Sequence, residues 1–270
     1  MTTQSSDLPE LAGRDLGTRL VDYTDRDVIL YALAVGAPPD ALDLVYERDL
    51  HTLPAYGTAL GLWAVETAGQ LGAYDPLRSL HAAQRLAMHE AIPTRGPVEM
   101  SGRVADVWDK GKAAMVDIEV TCVAFTATYS IFLPGYGGWG GQRGPSREPE
   151  PETVMNWRSS HPIPATQAAL YRLTGDRHPV HIDPTVATHN GFTRPILHGL
   201  CTLGTAARMV ATAAGSHPTN LTQLHARFAA PVLPGQTLHV RANEATPEIA
   251  FTASADDSVV ISGGRAVFRG

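Results

Sequence analysis

The run from residue 171 to residue 201 concentrates side chains that can carry protons. Its six carboxyl and imidazole groups within 23 residues are Asp176, His178, His181, Asp183, His189 and His198. Prolines at 179 and 184 interrupt any continuous helix, so residues 176–184 are predicted to form a loop. Asp176 and His181 lie five positions apart on it, close enough for a carboxyl group and an imidazole to meet in one small volume.

A helix is predicted to begin directly after this region, at His198 or Gly199. The first amides of a helix have no partner inside it, and the helix dipole adds partial positive charge there. The Gly199 amide would therefore stabilise a carbonyl oxygen that gains negative charge during a reaction. A carboxyl group, an imidazole and an oxyanion site are what the addition of water to a 2-enoyl thioester requires. No metal or redox cofactor is needed for that reaction.

The same loop also offers a metal-binding pattern. His178, His181 and Asp183 supply two imidazoles and a carboxylate, which could bind zinc or iron. The spacing of His181 and Asp183 is short for ligands on a rigid element, and we predict no metal site. Asp183 precedes a proline and is predicted to begin a turn.

A segment rich in glycine, proline and charge divides the chain into halves of similar length. We predict a first domain at 1–134, a linker at 135–152 and a second domain at 153–270. Each half is predicted to place helices before three or four antiparallel strands. That order predicts an α+β fold rather than the alternating pattern of a doubly wound sheet.

The individual elements follow from apolar periodicity and turn residues. In the first half, helices are predicted at 23–36 and 59–69, and extended stretches at 84–92, 102–109, 113–125 and 126–133, with a hairpin turn at 109–112. In the second half, helices are predicted at 166–173 and 199–214, and strands at 221–230, 236–246, 248–253 and 259–268.

Composition excludes several classes of protein. The formal net charge is −6 and no cluster of Lys and Arg is present, which argues against a nucleic-acid partner. Cys122 and Cys201 each lie in an apolar run, so we predict buried, unreactive thiols rather than a disulfide. The first 14 residues are polar and acidic, and no window approaches 18 uninterrupted apolar residues. We predict a cytoplasmic protein without a membrane segment.

Residues 171–184, YRLTGDRHPVHIDP, resemble the signature of the MaoC-like R-specific enoyl-CoA hydratases, also called hydratase 2. This family includes the hydratase part of peroxisomal multifunctional enzyme type 2. GFTRPILHGLC at 191–201 and ARFAAPVLPG at 226–235 carry the same resemblance, which extends into the first half at 23–37, 81–93 and 132–141. It implies a double hot-dog fold, with the catalytic loop in the second domain and a first domain that helps accommodate the acyl chain.

The resemblance also implies roles for individual residues. Asp176 and His181 match the catalytic pair, with His181 as the base toward water and Asp176 as the proton donor to Cα. Gly199 matches the oxyanion amide. Addition would be syn, would give a (3R)-3-hydroxyacyl-CoA and would use no cofactor beyond the coenzyme A of the substrate. The chain departs from the family at His178, which replaces an Asn that helps position the water. Histidine can also donate and accept hydrogen bonds, but it is larger and can become charged.

Further residues are candidates for substrate binding. Beside the catalytic groups these are His178, His198, Arg172 and Arg194, the arginines as partners for the coenzyme A phosphates. Arg208 is a third candidate of that kind. Four aromatic residues of the first half could line an acyl pocket or belong to the core, Tyr56, Trp63, Tyr74 and Trp108.

Two other functions remain open. Dehydration of a 3-hydroxyacyl thioester would use the same residues in reverse. A non-catalytic acyl-CoA-binding subunit is the alternative outside catalysis, and the presence of both Asp176 and His181 argues against it. We expect a homodimer.

Overall fold

The computed structural model describes residues 7–145, 153–244 and 248–269. Within these ranges ten strands form one antiparallel sheet in the order β1-β3-β4-β5-β2-β7-β10-β9-β8-β6. The strands are β1 Asp15–Val21, β2 Leu80–Met88, β3 Val98–Asp109, β4 Ala113–Thr121, β5 Phe125–Pro134, β6 Trp157–Pro162, β7 Leu221–Phe228, β8 Thr237–Ala242, β9 Glu248–Ala255 and β10 Ser258–Phe268.

Seven α-helices lie within the same ranges. They are α1 Asp25–Ala34, α2 Leu42–Val45, α3 Tyr56–Leu60, α4 Trp63–Gln70, α5 Gln167–Tyr171, α6 Pro184–His189 and α7 Gly199–Ala213. The described helices include none that is long and apolar enough to cross a membrane.

The two halves of the sheet repeat one strand order. Read outwards from the junction of β2 and β7, the first half runs β2-β5-β4-β3-β1 and the second runs β7-β10-β9-β8-β6. Each strand of the first half therefore has its counterpart five strands later in the chain, as β2 has in β7 and β5 has in β10. Strands β1–β5 lie before residue 135 and β6–β10 after residue 156. The proposed domain limits stay a prediction, and residues 146–152 of the linker lie outside the described residues.

Helix α7 is the central helix of the second half. Eleven of its fifteen residues are buried, because it is apolar around most of its circumference and packs against β7, β8, β9 and β10. Gly204 allows α1 to cross α7 closely, since a Cβ there would lie 2.7 Å from the hydroxyl of Tyr31. The predicted helix at 199–214 agrees with this element to one residue.

Side chains of the second half bind the end of α1. Cys201 Sγ lies 3.2 Å from the Ala34 carbonyl, which also accepts a hydrogen bond from Gln167. Arg208 Nε donates to the Val35 carbonyl at 3.1 Å. These contacts satisfy carbonyl groups that a helix end leaves without partners. They also give Arg208 a structural task at the contact between the halves.

Strands β1 and β6 were not predicted from the sequence, and each half has five strands instead of three or four. Both lie at the outer edges of the sheet, and β1 is largely exposed. An edge strand with many polar residues lacks the apolar pattern that marks a buried strand. The short helix α6 was also missed. Asp183 caps it by accepting from the Thr185 amide at 2.7 Å, which agrees with the turn predicted there.

The helix predicted at 59–69 is broken into α3 and α4. The Tyr129 hydroxyl donates to the Thr58 carbonyl at 2.7 Å, and the Leu62 amide bonds instead to the Ala59 carbonyl at 3.3 Å. A contact from β5 therefore interrupts the regular pattern of α-helical hydrogen bonds. No signal within residues 59–69 reveals it.

The predicted hairpin turn at 109–112 joins β3 to β4 and anchors the glycine-rich segment that follows β5. Asp109 is 4% exposed, and its carboxylate accepts from the amides of Gly111, Gly138, Gly140 and Gly141 at 2.8–3.3 Å. Hydrogen bonds from these amides, Gly138 first, lower the pKa of Asp109 from 3.8 to about 2.

We expect Asp109→Asn to lower the free energy of unfolding at neutral pH. In the variant an amide nitrogen replaces one carboxylate oxygen, and that nitrogen cannot accept the hydrogen bonds that the oxygen accepts. A carboxyl with a lowered pKa stabilises the fold above its unfolded pKa and loses this contribution as the pH falls through its folded pKa. The difference between wild type and variant should therefore shrink between pH 4 and pH 2. Urea unfolding at several pH values measures it, with exposed Asp106→Asn on the same strand as control. A difference in the free energy of unfolding between wild type and variant that does not change with pH would contradict the lowered pKa of Asp109.

Candidate active site

The loop that carries Asp176 is shaped by glycine and proline. Helix α5 passes into a single 3-10 turn, Arg172–Thr174, which ends at Gly175 with a φ of +141°. A residue with a Cβ rarely adopts that backbone conformation. The Asp176 carboxylate then accepts from the His178 amide at 3.1 Å, and a second turn, Pro179–His181, brings the His181 ring back towards Asp176. The local sequence thus positions both side chains.

Asp176 and His181 share one small space. Asp176 Oδ2 lies 3.9 Å from His181 Nε2, and the two side chains are 21% and 11% exposed. The separation is too long for a direct hydrogen bond, so both atoms are open to a third group between them. A reacting molecule could therefore exchange protons with both atoms.

The protonation of His181 is fixed by the backbone. His181 Nδ1 lies 2.9 Å from the Ile196 carbonyl. Because a carbonyl can only accept, Nδ1 carries the hydrogen and Nε2 keeps its lone pair towards Asp176. Burial lowers the pKa of His181 below 6.5, against the opposing effect of the Asp176 charge. His181 is therefore neutral at pH 7 and able to accept a proton at Nε2.

His198 braces both of these residues. Its ring stacks on His181 with centroids 3.7 Å apart and an angle of 25° between the planes. Its Nε2 donates to the Asp176 carbonyl at 3.1 Å, and the residue is 1% exposed. Burial, followed by the effect of His181, lowers its pKa from 6.5 to about 2, so the ring stays neutral. This position supports a positioning role more than the direct substrate contact suggested by the sequence.

Gly199 is the first residue of α7, and its amide belongs to the first turn, where the helix supplies no acceptor. A Cβ at this position would lie 3.3 Å from the Phe228 ring. Glycine therefore lets β7 pack close to the start of the helix. Because the helix begins next to His198, its positive end lies beside the catalytic loop.

The other residues predicted to bind substrate are Arg172, Arg194 and His178. The half-buried Arg172 has its Nε enclosed without a partner among the described residues, and its charge acts on His198. Arg194 is exposed. The His178 ring lies 6.2 Å from that of His181, and its Nδ1 accepts from the Val180 amide at 3.3 Å. Its other nitrogen then carries the hydrogen in the neutral ring.

Two family models match the chain in succession. The MFE-2 hydratase 2 N-terminal domain matches residues 21–133, and the MaoC like domain matches residues 146–258. Two Mycobacterium tuberculosis proteins, 3-hydroxyacyl-thioester dehydratase Y and enoyl-CoA hydratase ChsH3, are each 36% identical. The first match covers 95% of this chain and 96% of the relative, and the second covers 95% and 97%. The chain belongs to the MaoC-like hydratase 2 family.

This membership confirms the resemblance seen in the sequence. A MaoC-like dehydratase from Phytophthora capsici superposes with a TM-score of 0.87 at 24% identity over 98% of both chains. The predicted double hot-dog fold is confirmed, since solved MaoC-like and double hot-dog structures share this architecture. The roles of individual residues stay predictions that the geometry supports.

The hydratase 2 loop also brings three possible metal ligands together. Ligand atoms of Asp176, His181 and His198 all lie within 4.8 Å of one another, a different set from the one that the sequence suggested. An imidazole binds a metal in the plane of its ring, at about 2.0–2.1 Å for zinc. The two rings here lie in nearly parallel planes 3.7 Å apart, so one ion cannot lie in both planes. The stacked arrangement therefore favours proton transfer over metal binding.

A cavity of about 250 Å³ adjoins the catalytic loop. Residues 173–175 form one side, and β1, α1, α3 and α4 of the first half form the rest. Tyr56 and Trp63 line it, as the sequence analysis suggested, whereas Tyr74 and Trp108 do not. Trp108 instead donates to the Asp117 carboxylate at 2.8 Å. The sequence alone gave no sign that residues 173–175 would meet the first half.

His198→Ala tests whether the stacked ring of His198 sets the environment of His181 in this hydratase 2 site. Loss of the stacked ring should rehydrate one face of His181 and move its pKa up towards 6.5. NMR titration of ring-labelled histidine measures the change, with exposed His189→Ala as the matched control. An unchanged His181 pKa in folded His198→Ala protein would show that the stack does not set the environment of the base.

Proposed function

We propose that this chain adds water to trans-2-enoyl-CoA and forms (3R)-3-hydroxyacyl-CoA. The observation that carries the proposal is the pair of Asp176 Oδ2 and His181 Nε2, which face one space 3.9 Å apart. Relatives named as enoyl-CoA hydratases support the reaction class. The first residue of α7 adds an amide N–H that can donate a hydrogen bond to an enolate oxygen.

Each group has one task in the proposed reaction. His181 Nε2 takes a proton from water as the water oxygen attacks Cβ. Asp176 must carry a proton in the reacting form and gives it to Cα, while the Gly199 amide stabilises the thioester oxygen that carries the enolate charge. His181 then returns to Asp176 the proton that it took from water, which restores the pair. Acid–base help of this kind contributes about 10²- to 10⁴-fold, and one oxyanion donor contributes about 3 kcal/mol. Because both proton-transfer groups lie on one loop, they approach the substrate from one face, which supports syn addition.

We propose separate contacts for the acyl chain and for the coenzyme A phosphates of the substrate. The cavity beside residues 173–175 is our proposed site for the acyl chain. Arg172 and Arg194 are the proposed contacts for the coenzyme A phosphates. His178 is the proposed donor to the attacking water, because its Nδ1 is occupied by the Val180 amide and its Nε2–H is left to donate. The reaction requires no cofactor beyond the coenzyme A of the substrate.

The reverse reaction is a second candidate. A relative that is 36% identical is named as a 3-hydroxyacyl-thioester dehydratase. Asp176 and His181 would exchange their acid and base roles in that direction. A non-catalytic acyl-CoA-binding subunit is less well supported, because the tautomer of His181 and the position of Asp176 suit proton transfer. The homodimer and the cytoplasmic location stay predictions.

We expect the purified protein to abolish the absorbance of the conjugated enoyl thioester in crotonyl-CoA or a medium-chain 2-enoyl-CoA. Asp176→Asn and His181→Gln keep the side-chain shapes and should lower kcat at least about 100-fold. Exposed His189→Ala serves as the matched control and should retain activity. Chiral analysis of the product should give the 3R isomer.

Two results would contradict this assignment. One is hydration that survives in both variants, which would place the chemistry elsewhere. The other is a folded wild-type protein that binds CoA thioesters but neither hydrates them nor dehydrates (3R)-3-hydroxyacyl-CoA. The latter would favour the binding subunit.

A further inference from the structure

The cavity beside the catalytic loop has the size of an acyl-chain site and not of a nucleotide site. Its wall at Gly175 is one residue from Asp176, so a thioester held at Asp176 and His181 can extend its acyl chain into it. A volume of about 250 Å³ is too small for the whole coenzyme A group. The inference below therefore rests on the proposed function and concerns which acyl chains fit.

The lining of this cavity is not purely apolar. Tyr23, Leu60 and Trp63 supply aromatic and aliphatic surface. Polar side chains share the same walls, namely Arg19, Asp22, Asp27, Tyr56, Glu66 and Thr174. A plain hydrocarbon chain that filled the cavity would cover polar groups without pairing them, and burying a polar group without a partner costs free energy.

Two donors on the cavity walls, the Tyr56 hydroxyl and Trp63 Nε1, have no hydrogen-bond partner among the described residues. Trp63 Nε1 is fully enclosed, whereas the Tyr56 hydroxyl is not, although the residue as a whole is only 3% exposed. Tyr23, by contrast, donates to the Pro93 carbonyl at 2.8 Å. The Tyr56 ring is held in place by Tyr23 and Tyr31, with centroids 5.6 and 4.9 Å away. Burial raises the pKa of Tyr56, so the hydroxyl keeps its proton and remains a donor.

Glu66 supplies an acceptor on the same cavity. It lies on α4 at the exposed mouth, and desolvation followed by the charge of Asp176 raises its pKa. Glu66 is therefore close enough to the catalytic loop to interact with it. Asp27 also lines the cavity, but its carboxylate already accepts from the amide and the hydroxyl of Thr24 at 2.9 Å. No described residue donates a hydrogen bond to the Glu66 carboxylate, which leaves its oxygens open to a ligand.

We infer that the cavity selects 2-enoyl-CoA substrates whose acyl chain carries a hydroxyl group. The hydroxyl of the chain would accept a hydrogen bond from Tyr56 and donate one to Glu66. Such a group satisfies the unpartnered tyrosine, while a plain chain leaves it unsatisfied. Sites that hydrogen-bond a substrate hydroxyl reject the analogue without it far more strongly than apolar pockets reject an added group.

The test compares trans-2-octenoyl-CoA with matched analogues that carry a hydroxyl at C5, C6, C7 or C8. We expect wild type to have a higher kcat/KM for at least one hydroxylated chain. Tyr56→Phe keeps the ring and should lower the ratio of hydroxylated to plain kcat/KM about tenfold. Glu66→Gln should lower the same ratio. Tyr74→Phe removes a tyrosine hydroxyl of the first half that lies outside the cavity, and it should leave the ratio unchanged.

The ratio of the kcat/KM values for two substrates does not depend on how much of a variant is folded, because both values are measured on the same enzyme. A wild type that prefers the plain chain over all four analogues would overturn the inference while leaving the proposed function intact. A ratio that Tyr56→Phe does not change would overturn it as well. A preference for a matched chain with an ammonium group, retained in Tyr56→Phe, would instead indicate binding of a cation by Glu66 and the aromatic rings. Failure to hydrate any of the chains would contradict the proposed function itself.

Discussion

The pairing of β2 with β7 is the interaction on which the rest of the structure depends. Five residue pairs, from Ala83 with Arg227 to Ala87 with Gln223, join two five-stranded sheets into one. Without these pairs, each half would present an unpaired strand edge. The pairing also fixes the helices of the first half against the loop that carries Asp176. The candidate site is therefore a product of both halves, although Asp176 and His181 both come from the second.

The burial of α7 is the second constraint, and it connects packing to chemistry. A mostly buried helix cannot shift along its axis without disturbing the core, so its first amide has a fixed position. Glycine at 199 admits the Phe228 ring, and glycine at 204 admits Tyr31. The two glycines thus place the start of the helix relative to both halves of the sheet. A preorganised amide is what oxyanion stabilisation requires, because no reorganisation is then needed during the reaction.

Aromatic contacts join the cavity to His181. Adjacent ring centroids lie 3.7–6.2 Å apart along six side chains, in the order Tyr23, Tyr56, Tyr31, Tyr171, His198 and His181. Rings packed at these distances have few alternative positions. Tyr56 at the cavity and His181 beside Asp176 are therefore supported by one rigid cluster.

The sequence by itself determined that residues 176–184 form a loop, that residues 109–112 form a hairpin turn, and how far α7 extends. These features follow from prolines, glycines and apolar spacing, which act over a few neighbouring residues. The sequence also placed Asp176 and His181 within reach of each other. Only the tertiary structure decided which His181 nitrogen holds the proton, since the Ile196 carbonyl lies fifteen residues further on. It alone stacked His198 on His181 and brought Tyr56 and Glu66 to the catalytic loop. These contacts depend on the register of the whole sheet, which no local pattern of residues encodes.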